Sequence, residues 1–152
     1  MTLSLPYTLA VFRGGSIRIA LEVTELGWNS AQEVAEVGLD IAIEGEELTY
    51  RTSTGSLADE ELLTFQGFLD ELDRGSPAVW EPSERFAELA VELGEDAVSD
   101  TDGAEPWVTV KPHDAGLVVG GAVTLDDEWF DDVYARFDAL QDHLEELRAP
   151  NT

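Results

Sequence analysis

The sequence predicts an α+β fold in which a single antiparallel sheet of about six to seven strands carries two amphipathic helices on one face. In the first third of the chain, apolar residues occupy every second position, which is the period of a strand with one buried face. In two later segments they recur every three or four positions, as on one face of a helix. At 152 residues the chain is the size of one domain, so we expect residues 1–150 to form a single core.

The first third of the chain predicts an antiparallel meander of four strands. Apolar residues alternate in four runs, at 3–11, 17–23, 37–43 and from 48 onward. Gly14 and Gly15 separate the first two runs and predict a hairpin turn. Residues 26–35 break the alternation and are expected to form an irregular connection.

A first helix is predicted from Ser56 to about Arg74. Ser56 is expected to be the N-cap, with Asp59 at the third helical position in a capping box. Gly75 and Pro77 then end the helix. Its predicted core stripe consists of Leu62, Phe65, Phe68, Leu69 and Leu72.

Two or three strands are predicted between the helices. Residues 83–94 fit a strand and a helical face equally well by spacing, but sequential strands usually pair, which favours a strand. Residues 107–110 and 117–123 are the other two strands, with a turn at 112–116. Gly120 and Gly121 inside the last strand indicate a bulge or the close approach of another backbone.

The last segment, 126–148, is the most strongly patterned part of the chain. Asp126 or Thr124 is expected to cap this helix. Burying each large apolar side chain contributes about 1.5 to 3 kcal/mol, so the stripe must pack on another element. The stripe consists of Phe130, Val133, Phe137, Leu140, Leu144 and Leu147.

Negative charge dominates the composition. The chain has 33 acidic and 8 basic residues, a net charge of −25, and no cysteine. Such a chain repels nucleic acid and anionic membranes and attracts basic partners. The N-terminus lacks the basic and continuously apolar regions of a signal peptide, and no run is long enough to span a membrane, so we expect a cytoplasmic protein.

The sequence contains no recognisable catalytic, cofactor or metal motif. His113 lies in a predicted turn and His143 on the flank of the last helix, and neither is part of a serine triad pattern. Acidic pairs crowd the start of the last helix, but their spacing is not that of a calcium loop. We therefore expect a protein that is not an enzyme and needs no cofactor or metal.

The outer face of the last helix is the candidate partner-binding surface. Like charges four residues apart, such as Asp138 and Asp142, destabilise an isolated helix by a few tenths of a kcal/mol. A chain that keeps them either meets a basic partner or uses them for hydration. The candidate binding residues are Glu128, Asp131, Asp132, Asp138, Asp142 and Glu146.

Several segments together resemble a known family. They are the strand meander, LADEELLTFQGFLDELDRG at 57–75, VWEPSERFAELAVEL at 79–93, and DEWFDDVYARFDALQDHL in the last helix. Their order is similar to that in small immunity proteins of bacterial polymorphic toxin systems, the group associated with wall-associated toxins, and in uncharacterised actinobacterial proteins of similar size. The resemblance implies a sheet with two helices and a non-catalytic role in binding and blocking a toxin.

Two functional hypotheses follow. The first is an acidic binding protein, an immunity-type inhibitor that neutralises a basic partner such as a toxin by electrostatic complementarity. The second is a stand-alone domain from a salt-adapted organism or one with an acidic proteome, in which the charge serves solubility.

Overall fold

The computed structural model describes residues 4–81, 87–92, 106–112 and 118–149. Within these ranges the chain forms eight strands and two helices. In chain order they are β1 (Tyr7–Arg13), β2 (Ile17–Asn29), β3 (Val34–Gly45), β4 (Thr49–Ala58), α1 (Asp59–Asp73), β5 (Ala78–Trp80), β6 (Glu88–Glu92), β7 (Trp107–Lys111), β8 (Val119–Ala122) and α2 (Asp127–Arg148).

The α+β class and the presence of two helices agree with the prediction, but the expectation of a single sheet is wrong. The strands form two antiparallel sheets of four strands each, ordered β1-β2-β3-β4 and β5-β6-β7-β8. Helix α1 carries the chain away from β4, so the strands after it pair with one another instead of extending the first sheet. The sheets meet where the Thr124 N–H donates to the Arg13 carbonyl oxygen at 2.9 Å.

The first sheet is more continuous than the alternation predicts. Strands β2 and β3 pair as far as Asn29 and Val34, so most of the expected irregular connection is strand. The Asn29 Oδ1 atom accepts hydrogen bonds from the backbone N–H groups of Ala31 and Gln32 and so forms the turn. A bulge between Thr8 and Ala10 shifts the phase of β1, which turns Phe12 into the core.

Both helices pack on the same face of the first sheet. Helix α1 contacts β3 and β4 and also β5, whereas α2 contacts β1, β2 and β3. The aromatic rings of Phe65 and Phe137 meet between the helices, with centroids 5.7 Å apart. The predicted stripe of α1 is buried in full, and that of α2 is buried apart from Phe130 and Leu147, which are half-buried at its ends.

The start of α1 differs from the prediction, whereas its end agrees. Ser56 belongs to β4, and Ala58 is the N-cap, its backbone N–H donating to the Glu61 carboxylate at 3.1 Å. The predicted Ser56 cap is wrong because β4 stays paired with β3 up to Ala58. At the other end Gly75 adopts a φ of +83°, which only glycine reaches without strain.

Helix α2 begins as predicted. Asp126 is its N-cap, because the Asp126 carboxylate accepts the Trp129 N–H at 2.8 Å. The helix ends at Arg148, the residue expected from the apolar stripe.

The second sheet contains one strand more than expected, the three-residue β5. Strand β6 confirms the strand interpretation for 88–92, while 83–86 and 93–94 lie outside the described residues. A Cβ on Gly121 would lie 2.6 Å from Ile17 Cγ2, and one on Gly14 would overlap the Ala122 carbonyl oxygen. At Gly121 the close neighbour is therefore the side chain of Ile17, the first residue of β2, and the backbone contact lies beside it, between Ala122 and Gly14 in the β1–β2 turn.

Candidate partner-binding surface

All six predicted binding residues are exposed on the solvent side of α2. They lie opposite the buried stripe, so they share one helix face, which we call the α2 acidic face. Ala135, also exposed, lies between the acids at the start of the helix and those further along. Its small side chain lets a partner approach the helix closely. The α2 acidic face consists of Glu128, Asp131, Asp132, Asp138, Asp142 and Glu146.

Two of these carboxylates have a positive or titratable neighbour. Arg136 pairs with Asp132 at 2.9 Å and donates to the Thr8 carbonyl oxygen at 2.9 Å, which holds Asp132 beside β1. His143 Nδ1 lies 3.8 Å from the Glu146 carboxylate. Within the described parts of the chain, the four remaining acids of the α2 acidic face form no salt bridge.

On the outer face of the first sheet, in contrast to α2, several carboxylates lie beside arginines. Arg51 bridges Glu22 at 2.8 Å and Asp40 at 3.0 Å, and the hydrogen bond with Asp40 raises the pKa of Arg51. Arg18 lies 3.9 Å from Glu44 on the same face. Glu22, Asp40 and Glu44 on this sheet therefore each have an arginine beside them, whereas most carboxylates of the α2 acidic face do not.

Exposed carboxylates also occur outside α2. Glu33, Glu46 and Glu47 lie at the turns that join strands of the first sheet, and all three are exposed. The α2 acidic face is thus a concentrated region of negative charge on a surface that is acidic elsewhere as well.

A depression beside the N-terminus of α2 borders this face. It has a volume of about 390 Å³, and Trp129 and Val11 line its apolar part. Its charged lining is mixed, because Arg13 and Arg136 stand among three acids. This mixture makes it a poorer site for a cation than the outer face of the helix.

A second depression lies between α1 and β5, at a place that no sequence pattern predicts. It has a volume of about 450 Å³. We call it the α1–β5 groove, and its lining residues are Glu60, Glu61, Thr64, Val79, Trp80 and Glu81. In the sequence, Trp80 and Glu81 are marked only as part of the segment 79–93 that carries the family resemblance. No sequence pattern connects it to α1, because the groove exists only once β5 packs against the helix.

The histidines and acids give no sign of a metal centre in the ranges that the structure describes. His143 is more enclosed than its place on the helix flank predicts, with its side chain 15% exposed. His113 lies outside the described residues. Across the described ranges, no three His, Asp or Glu side chains are grouped so that they could hold a metal ion.

No helix in the described part of the chain is long and apolar enough to cross a membrane.

Among known proteins, a match is found only with a family model. No curated protein and no solved structure matches the chain significantly. One family model matches residues 8–145, which include both helices almost entirely and all eight strands but for the first residue of β1. The chain therefore belongs to the family of unknown function DUF5959.

Proposed function

We propose that the protein is a non-catalytic acidic binding protein, an immunity-type inhibitor that neutralises a basic partner such as a toxin. The observation that carries this proposal is the α2 acidic face, where Glu128, Asp131, Asp138 and Asp142 are exposed and, among the described residues, have no salt-bridge partner. Basic residues outside α2, such as Arg51, pair with carboxylates of the first sheet. The basic side chains of a partner protein would therefore meet carboxylates on α2 that are not already paired with a described residue.

The rigidity of α2 supports the same function. The Trp129 indole N–H donates to the Val11 carbonyl oxygen at 2.6 Å, and the Tyr134 hydroxyl donates to Asp70 at 2.8 Å. Arg148 pairs with Asp59 at the other end of the helix. A helix held at these points presents its carboxylates in a fixed arrangement, which lowers the ordering cost of binding.

Electrostatic complementarity gives this surface its expected behaviour. A concentrated acidic face accelerates encounter with a basic protein and repels acidic competitors. Screening shortens the range of these interactions to about 10 Å at 0.1 M salt. Association with the cognate partner is therefore expected to be fast and to slow as salt is added.

The test uses the protein encoded by the neighbouring gene, because an immunity protein is made beside the toxin it blocks. The variant Asp131→Lys, Asp138→Lys and Asp142→Lys reverses three charges on the α2 acidic face. Its matched control, Glu33→Lys, Glu46→Lys and Glu47→Lys, changes the net charge equally at the sheet turns. We expect the first variant to slow association, measured by stopped-flow fluorescence, and to lose protection of cells that express the partner. Equal effects of the two variants would show that the α2 acidic face is not the binding surface.

A second candidate function is a stand-alone domain whose charge serves hydration in a salt-rich cell. The exposed acids at the sheet turns favour it, because they extend the charge beyond α2. Thermal unfolding in increasing potassium chloride separates the candidates. A melting temperature that rises up to molar salt supports salt adaptation, whereas a plateau by a few tenths molar, where screening is nearly complete, supports the binding protein.

A further inference from the structure

We propose that the α1–β5 groove receives a basic side chain and an adjacent apolar side chain of the partner protein. This inference rests on the proposed function for the identity of the partner, but its evidence is separate. The groove lies on other elements than the α2 acidic face and combines an apolar floor with a carboxylate rim.

The floor of the groove is apolar and rigid. The Trp80 side chain is 2% exposed and meets the Phe65 ring edge-on, with centroids 5.0 Å apart. Its indole N–H donates to the Thr64 hydroxyl at 2.8 Å, so the polar atom of the floor is already satisfied. Val79, next to it on β5, is 60% exposed. A partner's apolar side chain would cover Val79 without breaking an existing hydrogen bond.

The rim of the groove is negative. Acids in the first turn of a helix stabilise it, and two of the three in α1 have identified contacts: Asp59 pairs with Arg148, and Glu61 accepts the Ala58 N–H. Glu60 lines the groove, is exposed, and forms no ion pair among the described residues. Glu81, which directly follows β5, also lines the groove.

Charge complementarity selects the occupant. No Lys or Arg belongs to the set of described residues that line the groove. An arginine or lysine side chain next to that apolar side chain would place its charged end at the Glu60 carboxylate. A second copy of this chain carries a net charge of −25 and is repelled. The groove therefore fits a basic segment of another protein.

The binding probe is the peptide acetyl-Leu-Arg-Leu-amide, titrated into the ¹⁵N-labelled full chain and followed by NMR. The Trp80 indole N–H resonance reports directly on the groove floor, and the backbone amides of Glu60 and Val79 report on its two sides. We expect these resonances to shift with a common affinity. The peptide with citrulline in place of arginine has the same shape without the charge, and we expect it to produce smaller shifts.

Two variants test the two parts of the groove, each with a matched control. Glu60→Gln should weaken peptide binding about three- to fivefold, the effect of one exposed ion pair, while Asp138→Asn on α2 should not. Val79→Asn, which removes the apolar contact without adding charge, should also weaken it, whereas Val118→Asn should not, although Val118 is equally exposed at 62%. Glu60 and Val79 are exposed, so both variants are expected to fold, and the dispersion of their NMR spectra verifies this.

The outcomes separate this inference from the proposed function. Shifts confined to the amides of Asp138 and Asp142 would overturn the groove and leave the α2 acidic face as the binding surface. Shifts at the groove, with partner association unaffected by charge reversal on α2, would support the groove and overturn the role of that face. Absence of any shift, or equal binding of the citrulline peptide, would overturn the groove.

Discussion

The Arg148 guanidinium at the last residue of α2 pairs with the carboxylate of Asp59 at the first residue of α1. Asp59 is the one charged residue buried in the part of the chain that the structure describes, and it is 6% exposed. Each charge also complements the helix end on which it lies, negative at an N-terminus and positive at a C-terminus. The pair thus joins the two helices where the chain leaves the first sheet.

We predict that Arg148→Met destabilises the protein more than removal of an ordinary surface arginine. The substitution leaves the buried Asp59 carboxylate without its partner. We expect the free energy of unfolding to fall by about 2 kcal/mol. This is less than for a fully buried pair, because Arg148 is half exposed. The measurement is the free energy of unfolding in urea. Arg74→Met is the control, since the Arg74 pair with Glu71 is exposed and should contribute within about 0.5 kcal/mol. Equal losses would show that the Asp59 carboxylate does not depend on Arg148.

The two glycines of the β1–β2 turn should respond differently to substitution. A Cβ at position 14 would overlap the Ala122 carbonyl oxygen, and backbone atoms there cannot rotate away, whereas a Cβ at position 15 meets no atom within 4 Å. We expect Gly14→Ala to cost about 3 kcal/mol, at the upper end of overpacking effects, and Gly15→Ala to stay within about 0.5 kcal/mol. Urea unfolding measures both, and similar values for the two would contradict the close packing of the sheets at this turn.

Tyr134 should make the stability sensitive to alkaline pH. Burial raises the pKa of Tyr134, and its hydrogen bond to Asp70 at 2.8 Å raises it further. A raised pKa means that the unfolded chain releases this proton first, so the contribution is complete below the ordinary tyrosine pKa of about 10 and is lost above it. We expect the free energy of unfolding to fall more steeply above pH 10 in the wild type than in Tyr134→Phe. Parallel pH profiles would show that Tyr134 does not cause the fall.

The helices were predictable from the sequence because their signals are local. The spacing of Phe137, Leu140 and Leu144 defines a face that only burial can stabilise, and the structure buries all three. Asp126 is recognisable as a cap because a short acidic side chain immediately precedes that pattern. The exposure of the acids opposite the stripe follows from the same helical period, so the α2 acidic face was predictable as a surface. Its role in binding stays a prediction.

The division of the strands into two sheets was not predictable by the same reasoning. Alternation shows that a strand has a buried face, but it carries no information on which strand lies beside it. Strand β5 is only three residues long, too short for alternation to detect. The bulge in β1 likewise follows from pairing with β2 and is not visible in the alternating residues before it.

The sequence by itself determined where the two helices lie, which of their faces are buried and where most of the strands run, because these depend on residues at most a few positions apart. Tertiary structure alone decided that the strands form two sheets, that Asp59 meets Arg148, and that β5 packs beside α1 to form a groove. These relationships join residues far apart in the chain. They depend on which packing of the apolar faces buries the most surface, and no local pattern specifies that.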